Sequence, residues 1–140
     1  MPEGVAETTI ARSADEVWAL IGDFGDVSWV PNNESCTVVD DVRYIRMFGV
    51  DVSVNERLLD EDDEARSHTY CLAGELDLRS ILGPGAIVSE RDLVATLKVT
   101  PTGETTSHVT WELAAPDVMF KGAFEEYQAA LDSAKARLEG

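Results

Sequence analysis

The apolar positions of this chain repeat in two rhythms. Through the middle they mostly alternate with polar ones; in the last quarter they recur every three or four residues. Alternation is the period of a strand with one buried face, and the longer spacing is the stripe of a helix. Residues 5–11 alternate and are rich in β-branched side chains, which predicts a strand. Ser13 and Glu16 follow at capping-box spacing: the Ser13 hydroxyl can accept from the Glu16 N–H and the Glu16 side chain can return the bond. The helix they open carries Val17, Leu20, Ile21 and Phe24 on one face and breaks near Gly25, and 29–33 reads as a turn. Strands are predicted at 35–39, 42–48 and 50–59, followed by an acidic stretch, 60–64, that reads as a solvated hairpin loop. Further strands fall at 66–72, 93–100 and 104–113, the last two joined by the turn Pro101-Thr102-Gly103. Short connections between consecutive strands make the sheet antiparallel and meandering.

Two segments complete the pattern. Within 73–92, Gly83-Pro84-Gly85 is a strong turn signal. The segment reads either as one long hairpin or as a loop over a cavity mouth, and Leu76, Leu78, Ile81 and Leu82 give it apolar surface to pack with. Pro116-Asp117 then opens a helix over 117–138, on the order of 30 Å long. Phe120, Phe124, Tyr127, Leu131, Ala134 and Leu138 share one face of it. A single long helix with one oily stripe needs a curved sheet to lie against. Where sheet and helix do not meet, the gap is a pocket.

Composition narrows the function classes. A length of 140 residues suits one domain, 1–140, with one core. The formal net charge is −16, from 27 acidic and 11 basic residues, so nucleic acid and anionic membrane surfaces are excluded as partners on electrostatic grounds. A hydrophobic content of 44% argues for a folded chain despite that charge. No apolar run approaches the length of a membrane span, so membrane insertion is not expected. The opening residues Met1-Pro2-Glu3-Gly4 lack a basic region followed by an apolar stretch, so a cytoplasmic protein without a signal peptide is expected. Cys36 and Cys71 have neither metal-ligand spacing nor a secretory context and read as reduced thiols. No Gly-rich phosphate loop, His/Cys metal cluster or nucleophile elbow is present, so neither metal nor cofactor is expected.

The run from Glu7 to Pro31 includes Ser13-Ala14-Asp15-Glu16-Val17-Trp18 and Phe24-Gly25-Asp26-Val27-Ser28-Trp29-Val30-Pro31. With Glu56-Arg57-Leu58-Leu59, Tyr70 and Thr110-Trp111, it resembles the polyketide cyclase/dehydrase-like branch of the SRPBCC superfamily. That branch is similar in turn to START lipid-transfer domains and the birch-pollen-allergen fold. The resemblance implies an α+β helix-grip fold: a seven-stranded antiparallel sheet wrapped around a long C-terminal helix, with two short helices after the first strand. It also implies a cavity for a hydrophobic small molecule. The connection from Tyr70 to Leu93 is longer than the family pattern.

Strand parity selects the residues that face such a cavity. Val50, Val52, Val54, Glu56 and Leu58 share a face that must be the inner one. Glu56 is then a carboxylate among apolar neighbours and must be protonated, hydrogen-bonded or ion-paired. It is either a structural carboxylate or a general acid or base. On the next strand His68 and Tyr70 share the inner face and are expected beside Glu56. They are either core side chains or partners that protonate or stabilise an enolate. Trp111 faces inward and His108 outward. In the third strand parity leaves open whether Tyr44, Arg46 and Phe48 or Ile45 and Met47 point inward; Arg46, if inward, is a candidate partner for Glu56 or for an anionic ligand. The candidate catalytic residues are Glu56, His68 and Tyr70. The candidate ligand-binding residues are Trp29, Phe48, Val54, Glu56, Tyr70, Leu97, Trp111, Phe120, Phe124 and Tyr127.

The expected function is binding or carriage of a hydrophobic small molecule, lipid or polyketide-like, by a monomer or homodimer. The alternatives are a polyketide cyclase or dehydratase, with Glu56 as base, and a protein-interaction module of co-chaperone or toxin-like type that uses its acidic surface.

Overall fold

A computed structural model describes residues 1–140. Strand β1 (Glu3–Ile10) leads into helix α1 (Ala14–Ile21), whose N-terminus is capped as its spacing requires. The Ser13 Oγ accepts from the Glu16 N–H at 3.2 Å and donates to Glu16 Oε1 at 3.1 Å. Four meandering strands follow: β2 (Asn33–Val39), β3 (Val42–Met47), β4 (Ser53–Asp62) and β5 (Ser67–Leu72). The turn between β2 and β3 places Asp40 at φ 50° and Asp41 at φ 64°, the left-handed pair that a two-residue hairpin needs and that Asp tolerates. A small hairpin of β6 (Leu76–Asp77) and β7 (Ile87–Val88) encloses the short helix α2 (Arg79–Leu82). A single 3₁₀ turn (Glu90–Asp92) then leads to β8 (Val94–Pro101), β9 (Ser107–Ala114) and the long helix α3 (Asp117–Glu139).

The main sheet has seven strands in the order β1-β9-β8-β5-β4-β3-β2. Every pair in it is antiparallel. The chain is thus an α+β helix-grip fold. One non-local pairing closes it: the first strand aligns with the last, from Glu3 against Ala114 to Ile10 against Ser107.

Three local features differ from the sequence reading. The second short helix after β1 is replaced by consecutive turns, with bonds Asp26 N–H to Asp23 O and Val30 N–H to Val27 O. Asp23 Oδ1 accepts from the Gly25 N–H and Asp26 Oδ1 from the Ser28 N–H, so these side chains compete for the donors a helix would use. The acidic stretch is not all loop, because Asp60, Glu61 and Asp62 pair with Thr69, His68 and Ser67. The 73–92 segment is neither a long extension of its flanking strands nor an unstructured loop; its hairpin is a separate two-stranded sheet.

Helix α3 packs chiefly on β1 and β9, at one side of the sheet. Its C-terminal half buries Ala130, Leu131 and Ala134 completely against the core. Its polar side chains reach the outward backbone groups of β1, an edge strand. Gln128 bonds both the N–H and the C=O of Glu7, Lys135 Nζ donates to Thr9 O, and Glu139 accepts from the Ala11 N–H. Covering an unpaired edge in this way removes a template for aggregation. At the other end, Gly4 lets the helix approach: a Cβ there would lie 2.9 Å from Phe120 Cζ and 3.2 Å from Phe124. With the helix seated on the β1 side, no helix packs closely along the inner face of β3, β4 and β5. No helix is long and apolar enough to cross a membrane.

Candidate functional site

The uncovered part of the sheet forms one wall of a cavity of about 390 Å³. Val50, Val52, Val54 and Glu56 line it, as alternation requires. The opposite wall is Met119, Gly122, Ala123, Glu126 and Tyr127 of α3, and Leu76, Leu78, Ile81 and Leu82 of the β6–β7 hairpin close it over. Eighteen of its 23 lining residues are hydrophobic. Ile81 and Leu82 of this cover and Val118 of α3 are 49%, 49% and 41% exposed, so apolar surface reaches solvent at the cavity. A second and larger hollow, about 630 Å³, is an open groove between Trp18, Phe24 and Leu58 with an acidic rim. It encloses little, and the smaller cavity is the candidate site.

The deep end of the cavity is polar. Antiparallel register puts Arg43 directly opposite Glu56, and directly opposed residues share a face. Arg43 Nε donates to Glu56 Oε1 at 2.8 Å, with the side chains only 5% and 8% exposed. Arg43 Nη1 donates to the Phe24 carbonyl at 3.1 Å, and its guanidinium carbon lies 4.2 Å over the Phe24 ring and 4.6 Å over the Tyr70 ring. Burial works against the Arg43 charge, but the neighbouring Glu56 offsets it, and the guanidinium is held more firmly protonated than usual. Trp111 Nε1 donates to Tyr70 Oη at 3.2 Å, and Tyr70 Oη in turn bonds Tyr127 Oη. Trp111 and Tyr127 stack with centroids 3.7 Å apart. Burial drives both phenols well above their ordinary pKa, so they remain protonated. At the cavity wall, burial also raises the Glu126 carboxyl, while Asn32, donating at 3.2 Å, holds it back.

Of the candidate ligand-binding residues, Val54, Glu56, Tyr70, Trp111 and Tyr127 line this space. The rest lie elsewhere. Phe48 is 62% exposed just past the end of β3, because Arg43, Ile45 and Met47 take the inner parity and Tyr44, Arg46 and Phe48 the outer. Arg46 therefore meets Asp51 at the surface and not Glu56. Leu97 is fully buried in the core, outside the lining. Trp29 is buried behind Trp111, with ring centroids 5.4 Å apart. Phe120 and Phe124 stack on each other at 5.7 Å and lie against Gly4 instead of roofing the cavity. A neighbouring stripe of α3, through Met119, Ala123 and Glu126, faces the cavity.

His68 is not beside Glu56. Glu56 pairs with Leu72, whereas His68 pairs with Glu61 at the far end of the strand. Its ring is enclosed by Trp18 and Phe24 at centroid distances of 5.6 and 5.7 Å. Burial and the Arg43 charge push its pKa down to about 4, so it is a neutral core imidazole. Arg43 is the principal residue that parity left unassigned. Its signal was its place in alternation with Ile45 and Met47, against a carboxylate that needed a partner.

Over residues 1–139 the chain matches the family described as polyketide cyclase / dehydrase and lipid transport. No curated protein sequence matches it. XoxI from Bacillus cereus superposes with a TM-score of 0.79 at 23% identity, covering 99% of this chain and 96% of that one. A START superfamily protein from Mycobacterium smegmatis superposes with a TM-score of 0.70 at 13% identity, covering 98% and 97%. The di-domain ARO/CYC BexL of the BE-7585A biosynthetic pathway gives 0.75 at 18% identity, covering 99% of this chain and 47% of that one. At these identities the likeness is one of fold.

Proposed function

Because the chain belongs to the polyketide cyclase / dehydrase and lipid transport family, we propose that it binds a hydrophobic small molecule between α3 and the β3–β4–β5 face. The observation that carries this reading is the largely apolar cavity of about 390 Å³. Small-molecule sites run from about 300 to 1,000 Å³, mostly apolar with a few placed polar groups. The apolar walls supply affinity, and the Arg43–Glu56–Tyr70–Tyr127 floor orients one end. Thermal-shift and calorimetric titration with aromatic and lipid probes tests the reading. An Ala123→Trp variant, which fills the space from the helix side, should retain its fold and lose binding. Equal binding by the filled variant would place the ligand elsewhere.

A second reading, cyclase-type catalysis, is favoured by the same floor, where a carboxylate and two phenols meet. Against it, Arg43 already engages one Glu56 oxygen at 2.8 Å, which leaves Oε2 alone to take a proton, and His68 is outside the cavity. Turnover of a poly-keto substrate by Glu56→Gln tests this reading; an unchanged rate removes Glu56 from any mechanism.

A further inference from the structure

The hydrogen bonds of the cavity floor have a direction, and that direction bears on the ligand. An indole N–H can only donate, and each phenol carries a single proton. Trp111 therefore donates to Tyr70 Oη. Tyr70 is 1% exposed, and its hydroxyl has one other partner, Tyr127 Oη. Were Tyr127 the donor, the Tyr70 proton would be buried with nothing to accept it, which is the costly arrangement. The reverse direction satisfies Tyr70 fully. The proton left over then belongs to Tyr127, which is only partly buried and lines the cavity. Stacking on Trp111, with ring planes 11° apart, fixes the position of that hydroxyl. The Arg43 charge over the Tyr70 ring draws electron density from the phenol and strengthens it as a donor, and bonds in series reinforce one another.

We propose that Tyr127, at the end of the relay Trp111→Tyr70→Tyr127, donates to a neutral acceptor oxygen, a ketone or quinone carbonyl, on the inner end of an otherwise apolar ligand. This rests on the reading of the cavity as a small-molecule site. A carboxylate is the wrong partner. The one cation of the floor is already paired with Glu56, Glu126 stands on the wall, and the chain carries a net charge of −16. Burial keeps both phenols protonated, so the relay is a donor at any ordinary pH.

Three naphthalene probes of similar shape separate these terms: 2-acetylnaphthalene, 2-isopropylnaphthalene and 2-naphthoate. The ketone should bind the wild-type protein roughly tenfold more tightly than the hydrocarbon, the gain of one good hydrogen bond, and the naphthoate should bind no better than the hydrocarbon. In Tyr127→Phe the ketone should fall to the affinity of the hydrocarbon. The hydrocarbon should bind that variant no more weakly than it binds the wild type, since no hydroxyl is then buried without an acceptor, and this also reports that the variant is folded. The infrared carbonyl stretch of the bound ketone should shift down in the wild type and lose that shift in Tyr127→Phe. Tyr70→Phe should lose part of the shift. Equal affinity for ketone and hydrocarbon in the wild type, or equal weakening of both by Tyr127→Phe, overturns the relay while leaving an apolar site. Tighter binding of the naphthoate overturns the neutral-acceptor assignment. Binding of none of the three overturns the relay and the small-molecule site together.

Discussion

The Arg43–Glu56 pair should be worth more broken than absent. Both side chains are under a tenth exposed, at 5% and 8%, so solvent does not screen them. Removing one partner of a buried pair leaves an uncompensated charge and costs about 3–5 kcal/mol, while replacing both with apolar groups is often neutral or stabilising. Arg43→Met keeps the volume but strands Glu56, and it also gives up the stacking over Phe24 and Tyr70 and the bond to the Phe24 carbonyl. A loss of about 4 kcal/mol is expected. Glu56→Gln keeps an acceptor for the guanidinium, so about 2 kcal/mol is expected, the worth of a charge-assisted hydrogen bond. The double variant Arg43→Met/Glu56→Leu should come within about 1 kcal/mol of the wild type. Urea denaturation followed by tryptophan fluorescence measures all three. The chain should survive each change, since a domain of this length holds on the order of 10 kcal/mol. Additive losses in the double variant, or a loss under 1 kcal/mol in Arg43→Met, would refute the account, because the pair would then behave like an exposed one.

Three further outcomes follow from the same geometry. The unfolded chain takes up a proton on His68 near pH 6.5 and the folded chain only near 4. Between those values the unfolded state binds more protons, so the His68 contribution is complete above pH 6.5 and is lost on acidification, about 3 kcal/mol in all; a His68→Leu variant should show a correspondingly flatter stability–pH curve. Gly4→Leu forces a side chain into the Phe120–Phe124 pair and should cost about 1–3 kcal/mol by overpacking; an unchanged melting temperature would mean the helix end is not seated on β1. Arg46→Ala should leave both stability and ligand binding unaltered, since its contact with Asp51 is exposed and 3.5 Å long; a measurable effect on binding would contradict the assigned parity of β3.

Much of the fold was legible before any coordinate. Period decided element type, the capping box at Ser13 placed α1, and Pro116-Asp117 placed the start of α3. Alternation also placed Val52, Val54, Glu56, Tyr70 and Trp111 on inner faces, because one face of each strand had to be the oilier. Parity has limits, however. It says which side of its own strand a residue occupies but nothing about position along the neighbouring strand. That is why His68, on the same face as Tyr70, turned out to oppose Glu61 and not Glu56. It also failed in β3, where both faces carry an arginine and an apolar residue.

By itself, then, the chain determined most of its elements, their order and the inner faces of β4, β5 and β9, all of which are local periodicities that each segment expresses alone. Three matters belonged to the tertiary structure. Register chose Arg43 as the partner of Glu56. The seating of α3 on β1 turned Phe120 and Phe124 away from the cavity and left Tyr127 in it. The hairpin of β6 and β7 folded over the mouth. Each depends on where one element lies along or across another, a relation between distant residues that no local period encodes. The terminal helix announced a gap somewhere above the sheet. Its displacement to one edge decided where that gap is and which hydroxyl opens into it.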